Sequence, residues 1–273
     1  MNSDFRMGIA HLAPVILSLL FGILCAVLIA ESQMTFYAVT PFPDNVSGSF
    51  GNAVYFVVLV GVGAFLLYLL LKRKSFKLIS LITGFAITIA TLMLSLVYSY
   101  ALFSIFAVPY TDALAITVAI VLTALADYGI FRKNRLSDLV VLLLGGALGT
   151  FLGISIPTPS AILVLSFLAV YDMFAVYRGP VGKIARGGLE QLRGLSFSFR
   201  DVQMGLGDLT FYSMLTSRVF FDAGPLFCLT SLAGVIIGVY FAFRMLEKKG
   251  MFPGLPFPTA LGLIPLIVSF VLK

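Results

Sequence analysis

The chain has 273 residues, of which 60% are hydrophobic and 11% are charged, and its mean hydropathy is +1.08. A soluble globular domain carries about 25% charged residues, so this composition excludes that class and predicts a polytopic membrane protein. The net charge of +6 would suggest nucleic-acid binding in a soluble chain. Here the basic residues fall in short turns between apolar segments, so they indicate membrane topology, and we expect no nucleic-acid partner.

Nine apolar segments approach the roughly 20 residues that a membrane-spanning helix needs. They lie near 9–30, 51–71, 78–104, 112–131, 136–154, 158–177, 202–221, 225–246 and 255–272. The sequence therefore predicts an all-α polytopic membrane protein of about nine transmembrane helices. We expect an N-terminal membrane bundle over 1–177, a basic cytoplasmic loop over 178–201 and a C-terminal membrane bundle over 202–273.

The loops between these segments carry charges of opposite sign on the two sides. Basic residues follow the second, fourth, sixth and eighth segments, at Lys72, Arg73, Lys74, Lys77, Arg132, Lys133, Arg135, Arg178, Lys183, Arg186, Arg193, Arg200, Arg244, Lys248 and Lys249. The loops on the other side carry acidic residues, at Glu31, Asp44, Asp112 and Asp222. Because basic loops stay in the cytoplasm, we expect a cytoplasmic N-terminus and a C-terminus outside.

Two aspartates lie within otherwise apolar segments, Asp172 in LAVYDMFAVY and Asp208 in MGLGDLTFYS. An ionisable side chain at membrane depth is costly unless it faces protein or water, so it indicates a functional site by default. Asp172 lies six residues before Arg178, and Asp208 lies eight residues after Arg200. With a helical rise of ~1.5 Å per residue, both carboxylates would lie roughly 9 to 12 Å from the same membrane face. They can therefore meet.

Three short motifs resemble those of a known family. Tyr171-Asp172 is similar to the YD motif, and Gly205-Leu206-Gly207-Asp208 to the GxGD motif, of the presenilin and signal peptide peptidase family of intramembrane aspartyl proteases. The family's PAL motif has its nearest match in Pro253-Gly254-Leu255, followed by Pro256, with Gly in place of Ala. Another partial match, Pro258-Thr259-Ala260-Leu261, carries an insertion. The motifs occur in the family's order on the sixth, seventh and ninth predicted helices.

This resemblance implies an aspartic endopeptidase that cleaves peptide bonds in or near transmembrane segments of other proteins. The predicted orientation is that of the presenilin branch, and the chain resembles an archaeal or bacterial presenilin homologue, which implies the cell membrane of a prokaryote. The partners would be transmembrane substrates and the lipid bilayer, with accessory subunits or a homo-oligomer left open. Segment 178–201 is short beside the loop that presenilins cleave during maturation, so self-cleavage is not expected.

The resemblance makes Asp172 and Asp208 the catalytic pair, and the chemistry suits two carboxyl groups. Peptide hydrolysis at neutral pH needs a carboxylate to deprotonate water and a carboxylic acid to polarise the scissile carbonyl. Two carboxyl groups in one site supply both forms, because both cannot ionise cheaply. No cluster of His, Cys and carboxylate side chains has metal-ligand spacing, so we expect neither a metal nor a cofactor.

Around this pair we expect a substrate-binding set. Without side chains at Gly205 and Gly207, a substrate backbone can approach closely and pair in an extended form. Pro253 and Pro256 should keep their segment out of the helix. The expected set is Tyr171, Gly205, Leu206, Gly207, Pro253, Gly254 and Leu255. Tight helix packing is the alternative for the two glycines, as it is for the seam predicted at Gly145, Gly149 and Gly153, and simple packing is the alternative for Tyr171.

The competing function is an ion or proton channel or transporter that uses the two carboxylates as a relay. That function predicts inverted repeats with broken helices in both halves, and we find no internal symmetry in the chain.

Other charged residues have simpler interpretations. Asp172 taken alone could pair with Arg178. Asp127 lies close to Arg132 near the predicted membrane surface, as a snorkelling anchor would. Arg218 and Asp222, spaced i, i+4, are expected to pair with each other.

Overall fold

The computed structural model of the protein describes residues 8–131, 135–178, 196–199 and 202–272, and these form nine α-helices and two short β-strands. A 3₁₀ turn, Ile9–Leu12, leads into the first helix. The helices and strands are α1 Ala13–Ser32, α2 Val46–Lys72, α3 Phe76–Ile105, α4 Thr111–Phe131, α5 Arg135–Ser155, α6 Thr158–Tyr177, β1 Ser196–Phe199, β2 Val202–Gly205, α7 Leu206–Ala223, α8 Pro225–Lys249 and α9 Pro256–Val271.

Among the described residues, seven helices are long and apolar enough to cross a membrane, namely α1 to α6 and α8. This confirms the predicted class of an all-α membrane protein with nine helices. The two remaining helices differ for separate reasons. Helix α7 carries three charged residues, Asp208, Arg218 and Asp222. Helix α9 has 16 residues and is therefore about 24 Å long, shorter than a hydrocarbon core of about 30 Å.

Helix α7 is polar because it lies inside the protein and not against lipid. It packs against α1, α5, α8 and α9, and ten of its 18 residues are buried. Most of its buried hydroxyl groups find partners within the bundle, whereas the Oγ of Ser213 is buried without a hydrogen-bond partner among the described residues. Thr150 of α5, for example, bonds to Ser217 of α7 at 2.9 Å. A helix with polar groups on several faces is stable at membrane depth only when other helices surround it.

The glycine seam predicted on α5 is confirmed, and it lies against α7. A Cβ atom at Gly145 would lie 2.7 Å from the Cβ of Leu209, and one at Gly149 would lie 2.3 Å from the carbonyl oxygen of Thr210. At Gly153 the nearest atom would be the carbonyl oxygen of Met214, at 2.8 Å. These glycines let the two backbones approach more closely than any side chain would permit.

Helices α8 and α9 form an antiparallel pair that depends on proline and glycine. Helix α8 begins at Pro225 and ends at Lys249, and the following Gly250 has a φ of 73°, the left-handed conformation that glycine adopts at helix ends. Helix α9 begins with Pro256 as its first residue, where the missing N–H has no helical partner to lose. Pro258 packs against Gly238 of α8, at which a Cβ would lie 2.5 Å from the Cα of Pro258.

The segment before α7 differs from the prediction. Residues 202–205 were expected to begin a transmembrane helix, but they form β2, which pairs antiparallel with β1 in the register Ser196↔Gly205 to Phe199↔Val202. The expected loop 178–201 therefore ends in a strand, while its parts 179–195 and 200–201 lie outside the described residues. Val202 and Met204 are buried and Gln203 is exposed, so one face of β2 covers the bundle.

Candidate active site

Asp172 lies in the last turns of α6 and is half-buried. Its carboxylate Oδ2 accepts a hydrogen bond of 3.0 Å from the backbone N–H of Leu255. Arg178, the alternative partner for Asp172, is exposed. The ion pairs found among the described residues do not include one between Arg178 and Asp172. The residue that contacts Asp172 is therefore 83 positions away in the chain, at the entry to α9.

Asp208 is the third residue of α7 and lies in its first turn. The positive end of the helix dipole favours a carboxylate at this position. Against it lies the backbone of Gly254, where a Cβ atom would come within 3.0 Å of Asp208 Oδ2 and 3.2 Å of Oδ1. Because β2 ends at Gly205, the helical spacing used to estimate the depth of Asp208 from Arg200 was wrong.

The two aspartates meet at one short piece of backbone. Leu255 bonds to Asp172 and its neighbour Gly254 lies against Asp208. Both carboxyl groups therefore lie beside the same two consecutive residues. The structure thus brings together the residues on α6, α7 and the entry to α9 that sequence analysis singled out. Pro258, the start of the other PAL-like match, instead packs against α8.

Tyr212 joins this arrangement from one turn further along α7. Its side chain is only 1% exposed, and its hydroxyl donates a hydrogen bond of 2.8 Å to the carbonyl oxygen of Gly254. Tyr212 therefore binds the same backbone segment that lies against both aspartates. Sequence analysis missed Tyr212. The signal was its i, i+4 spacing from Asp208, which puts both side chains on one face of the helix.

The two glycines of the Gly205-Leu206-Gly207-Asp208 segment face open space in the described structure. A Cβ at Gly205 would meet only the backbone nitrogen of Gly207, at 3.9 Å, and a Cβ at Gly207 only the ring of Phe211, at 3.9 Å. Neither glycine has a positive φ. Packing, the alternative explanation for these glycines, therefore finds no support among the described residues.

Two other residues of the expected substrate-binding set have clear packing contacts. The side chain of Leu206 is buried in the hydrophobic core. The hydroxyl of Tyr171 lies beside α2, 3.5 Å from where a Cβ at Gly61 would be. Pro253 is buried and directly precedes the two residues that touch the aspartates.

The comparison with known protein families decides the classification. The family model described as signal-peptide peptidase, presenilin aspartyl protease matches residues 12–191. The chain belongs to this family. It is therefore a presenilin-type intramembrane aspartyl protease by family and an integral membrane protein. The match includes Asp172 and ends before Asp208, so the pairing of these residues rests on the geometry given above.

Solved structures of similar fold support the architecture of this presenilin-family chain. Two crystal forms of a presenilin family intramembrane aspartate protease, in space groups C222 and P2, align with TM-scores of 0.67 and 0.66, each at 21% sequence identity. The first alignment covers 96% of this chain and 99% of the other, and the second covers 98% and 100%. At this identity the likeness shows the fold alone. No curated protein matches the chain significantly.

Proposed function

We propose that this protein hydrolyses peptide bonds in or near transmembrane segments of other membrane proteins, with Asp172 and Asp208 as a catalytic dyad that activates water. The observation that carries the proposal is the contact of both carboxyl groups with the adjacent residues Gly254 and Leu255. Two carboxyl groups that line one site would share a proton, because ionising the second beside the first is unfavourable. One then acts as general base toward water while the other donates a hydrogen bond to the scissile carbonyl.

In this proposal, substrate enters on the side of the open glycines. The space above Gly205 and Gly207 admits a backbone that lies directly beside Asp208. The chain just before Asp208 is extended in β2, and among the described residues β2 pairs with β1 along one edge and leaves the other edge unpaired. An extended substrate that adds to such an edge places its peptide bonds in order along the strand. Gly205, Gly207 and the backbone of Pro253-Gly254-Leu255 would thus hold substrate, with Tyr171 and Leu206 supporting their helices.

The charge distribution supports a cytoplasmic opening for this site and an outer C-terminus. Basic residues follow the C-terminal ends of α2, α6 and α8, and Asp172 lies near that end of α6. Basic loops are retained in the cytoplasm. The proposed organisation follows from it, with a membrane bundle over 1–177, a basic cytoplasmic loop over 178–201 and a second membrane bundle over 202–273. By resemblance, we assign the protein to the cell membrane of a prokaryote.

The test is cleavage of a single-span reporter substrate by purified protein in detergent or vesicles. Asp172→Asn and Asp208→Asn should each lower the rate by roughly a thousandfold or more, since base and acid are both needed for the chemical step. Neither change should lower the melting temperature, because removal of a buried charge is often neutral or stabilising.

The matched control is Asp127→Asn, which changes another aspartate within an apolar helix. Asp127 lies on α4 and accepts bonds from Thr88 of α3 at 2.9 and 3.0 Å. This variant should cleave at the wild-type rate. Wild-type activity in either Asp172→Asn or Asp208→Asn would overturn the dyad, and ion flux into vesicles without cleavage would favour the channel.

A further inference from the structure

A groove on the lipid-facing side of α8 and α9 lies apart from the aspartates. Its volume is about 740 Å³, within the range of roughly 300 to 1,000 Å³ that is typical of small-molecule sites. One wall consists of Tyr240, Arg244 and Lys248, which lie one above another at i, i+4 and i+8 on α8. The facing wall includes Phe257 and Leu261 of α9.

The groove is apolar along its length and cationic at one end. Arg244 and Lys248 are both exposed and lie within the last six residues of α8, less than about 10 Å from the helix end. Lys249 adds a third exposed cation beyond them, with its Nζ 5.8 Å from the ring centre of Phe252. Cations this near the end of a membrane-spanning helix would lie close to the headgroup region of the bilayer.

The guanidinium of Arg244 is oriented by its neighbours. Its Nε donates to the hydroxyl of Tyr240 at 3.0 Å, and its Nη1 donates to Glu247 at 3.3 Å. Among the described residues these contacts use two of the five N–H donors of the guanidinium. The acidic group on this end of α8 is Glu247 alone, against the cations of Arg244, Lys248 and Lys249. The net charge at the mouth of the groove is positive, which fits a phosphate ester.

We propose that this groove binds a phospholipid with an anionic headgroup. One acyl chain would lie along Phe241, Phe257 and Leu261, and the phosphate would accept hydrogen bonds from Arg244 and Lys248. A membrane protein has lipid against its apolar faces in any case, so the specific part of the site is the pair of cations that selects the headgroup. Basic side chains near a membrane surface each favour an anionic lipid by about fivefold.

The site reaches the proposed catalytic segment through two aromatic rings. Phe257, which lines the groove, stacks on Phe252 with the ring centres 5.5 Å apart and the planes 10° apart. Phe252 directly precedes Pro253-Gly254-Leu255. Lipid in the groove would therefore contact Phe257, whose ring stacks on the residue that precedes this segment. A consequence for cleavage rests on the proposed function, whereas lipid binding itself does not.

Binding can be measured independently of cleavage because the chain contains no tryptophan. Phe241→Trp places a single tryptophan in the groove, at a position that is already 49% exposed, and its emission is excited separately from that of the 11 tyrosines. The protein is reconstituted in phosphatidylcholine vesicles that contain increasing fractions of brominated phosphatidylglycerol or brominated phosphatidylcholine, and quenching is recorded. We expect the anionic lipid to occupy the groove at least about fivefold more favourably than the zwitterionic lipid.

Two controls make the result specific. Leu229→Trp, on the other end of α8 and 59% exposed, should be quenched equally by both lipids. Adding Arg244→Gln and Lys248→Gln to the Phe241→Trp protein should abolish the preference. Adding Arg73→Gln and Lys74→Gln, which removes the same charge at the end of α2, should leave it intact.

Three results would overturn the proposal. Equal quenching by both lipids at the groove would show an ordinary lipid contact. A preference that survives loss of Arg244 and Lys248 would show that these cations do not select the headgroup. Absence of quenching by either lipid would show that protein, such as a second copy of the chain, covers the groove.

Discussion

At the scale of single residues, Gly254 and Leu255 contact the site through backbone atoms. The N–H of Leu255 donates to Asp172, and the carbonyl oxygen of Gly254 accepts from Tyr212. The prolines at 253 and 256 have no N–H, so they cannot compete for these acceptors. Substitutions in this segment should therefore act through volume, because the backbone bonds are kept.

The first prediction concerns the volume at Gly254. A methyl group there would lie 3.0 Å from Asp208 Oδ2, so Gly254→Ala requires the carboxyl group to move by a few tenths of an ångström. We expect Gly254→Ala to fold normally and to keep activity within about tenfold. Gly254→Leu must displace the carboxyl group much further and should lower the cleavage rate by roughly a hundredfold, since that is the effect of a 1 Å misplacement.

The measurements are cleavage of the reporter and the melting temperature of each purified variant. Equal activity of Gly254→Leu and wild type would contradict the placement of this segment beside Asp208. A fall in melting temperature that matches the loss of activity would instead indicate a folding defect.

The second prediction concerns Tyr212, which we expect to position Gly254. In Tyr212→Phe the partly buried carbonyl oxygen of Gly254 loses its donor, at a cost of about 1 kcal/mol or more in the free energy of unfolding. The cleavage rate should fall as well, because Gly254 and Leu255 lose a restraint beside both aspartates. Circular dichroism should show unchanged helix content.

Tyr98→Phe is the matched control for this change. The hydroxyl of Tyr98 also donates to a backbone carbonyl oxygen, that of Ala147, at 2.7 Å, but it does so between α3 and α5. Its loss should destabilise the protein to a similar extent and leave the cleavage rate unchanged. If both variants cleave equally well, Tyr212 has only a structural role.

At the scale of helices, α7 is held in place mainly by its close approach to α5. The third prediction is that Gly149→Ala strongly destabilises the protein, because the added Cβ would lie 2.3 Å from the carbonyl oxygen of Thr210 and 2.5 Å from the Cβ of Ser213. Backbone atoms cannot move aside as a flexible side chain can. We expect a cost of about 2 kcal/mol or more, within the range for overpacked cores.

Gly63→Ala is the control for helix propensity. A Cβ at Gly63 of α2 meets no described atom within 4 Å. Alanine is favoured over glycine inside a helix by about 1 kcal/mol, so this variant should be neutral or more stable. Thermal unfolding in detergent distinguishes the two, and a Gly149→Ala protein as stable as wild type would contradict the close seam.

The helices could be predicted from sequence far better than the chain between them. Long apolar segments predict membrane helices because no other element satisfies its backbone hydrogen bonds in lipid. The four-residue strands β1 and β2 carry no comparable signal, and the apolar residues Val202 and Met204 extend the apolar segment that predicts a helix from residue 202. The alternation of buried and exposed positions in VQMG was present but too short to decide.

The site, too, could be predicted from sequence only in part. Asp172 and Asp208 stand out because charges are rare in apolar segments, and the nearness of Pro253-Gly254-Leu255 followed from motif order. The bonds made by Leu255 and Tyr212 could not be predicted, because they join positions 83 and 42 residues apart through the packing of three helices. For Tyr171, the neighbour of Asp172 in sequence, the structure shows a contact with α2 at Gly61, and a role in substrate binding stays a prediction.

At the scale of the whole molecule, the helices around the site are tied together at both ends. One of these ends is the N-terminal end of α6, opposite the end that carries Asp172. There Arg218 pairs with Asp222 at 2.5 Å and donates to the carbonyl oxygens of Gly153 and Ile156. Asp222 also accepts from Thr158, the first residue of α6. This confirms the expected ion pair and extends it, because the network joins the ends of α5 and α7 to the start of α6. Helices α6 and α7 are thus linked at this end by Asp222 and at the other by Pro253-Gly254-Leu255.

The final prediction is the orientation of the whole molecule in the membrane. Helix α2 has 27 residues and is therefore about 40 Å long, so the exposed residues Asp44 and Arg73 beyond its two ends lie on opposite sides of a hydrocarbon core of about 30 Å. Basic residues cluster on the side of Arg73, and positively charged loops are retained in the cytoplasm.

Single cysteines test this orientation after the two native ones, Cys25 and Cys228, are replaced by alanine. Both native cysteines are buried within helices, and the background protein should keep its cleavage activity. In intact cells a membrane-impermeant maleimide should label the Asp44→Cys variant at once, and the Arg73→Cys variant only after the membrane is permeabilised. Both should react in detergent. The reverse pattern would place the basic loops, and with them the opening to Asp172 and Asp208, outside the cell, and substrates would then be cleaved from that side.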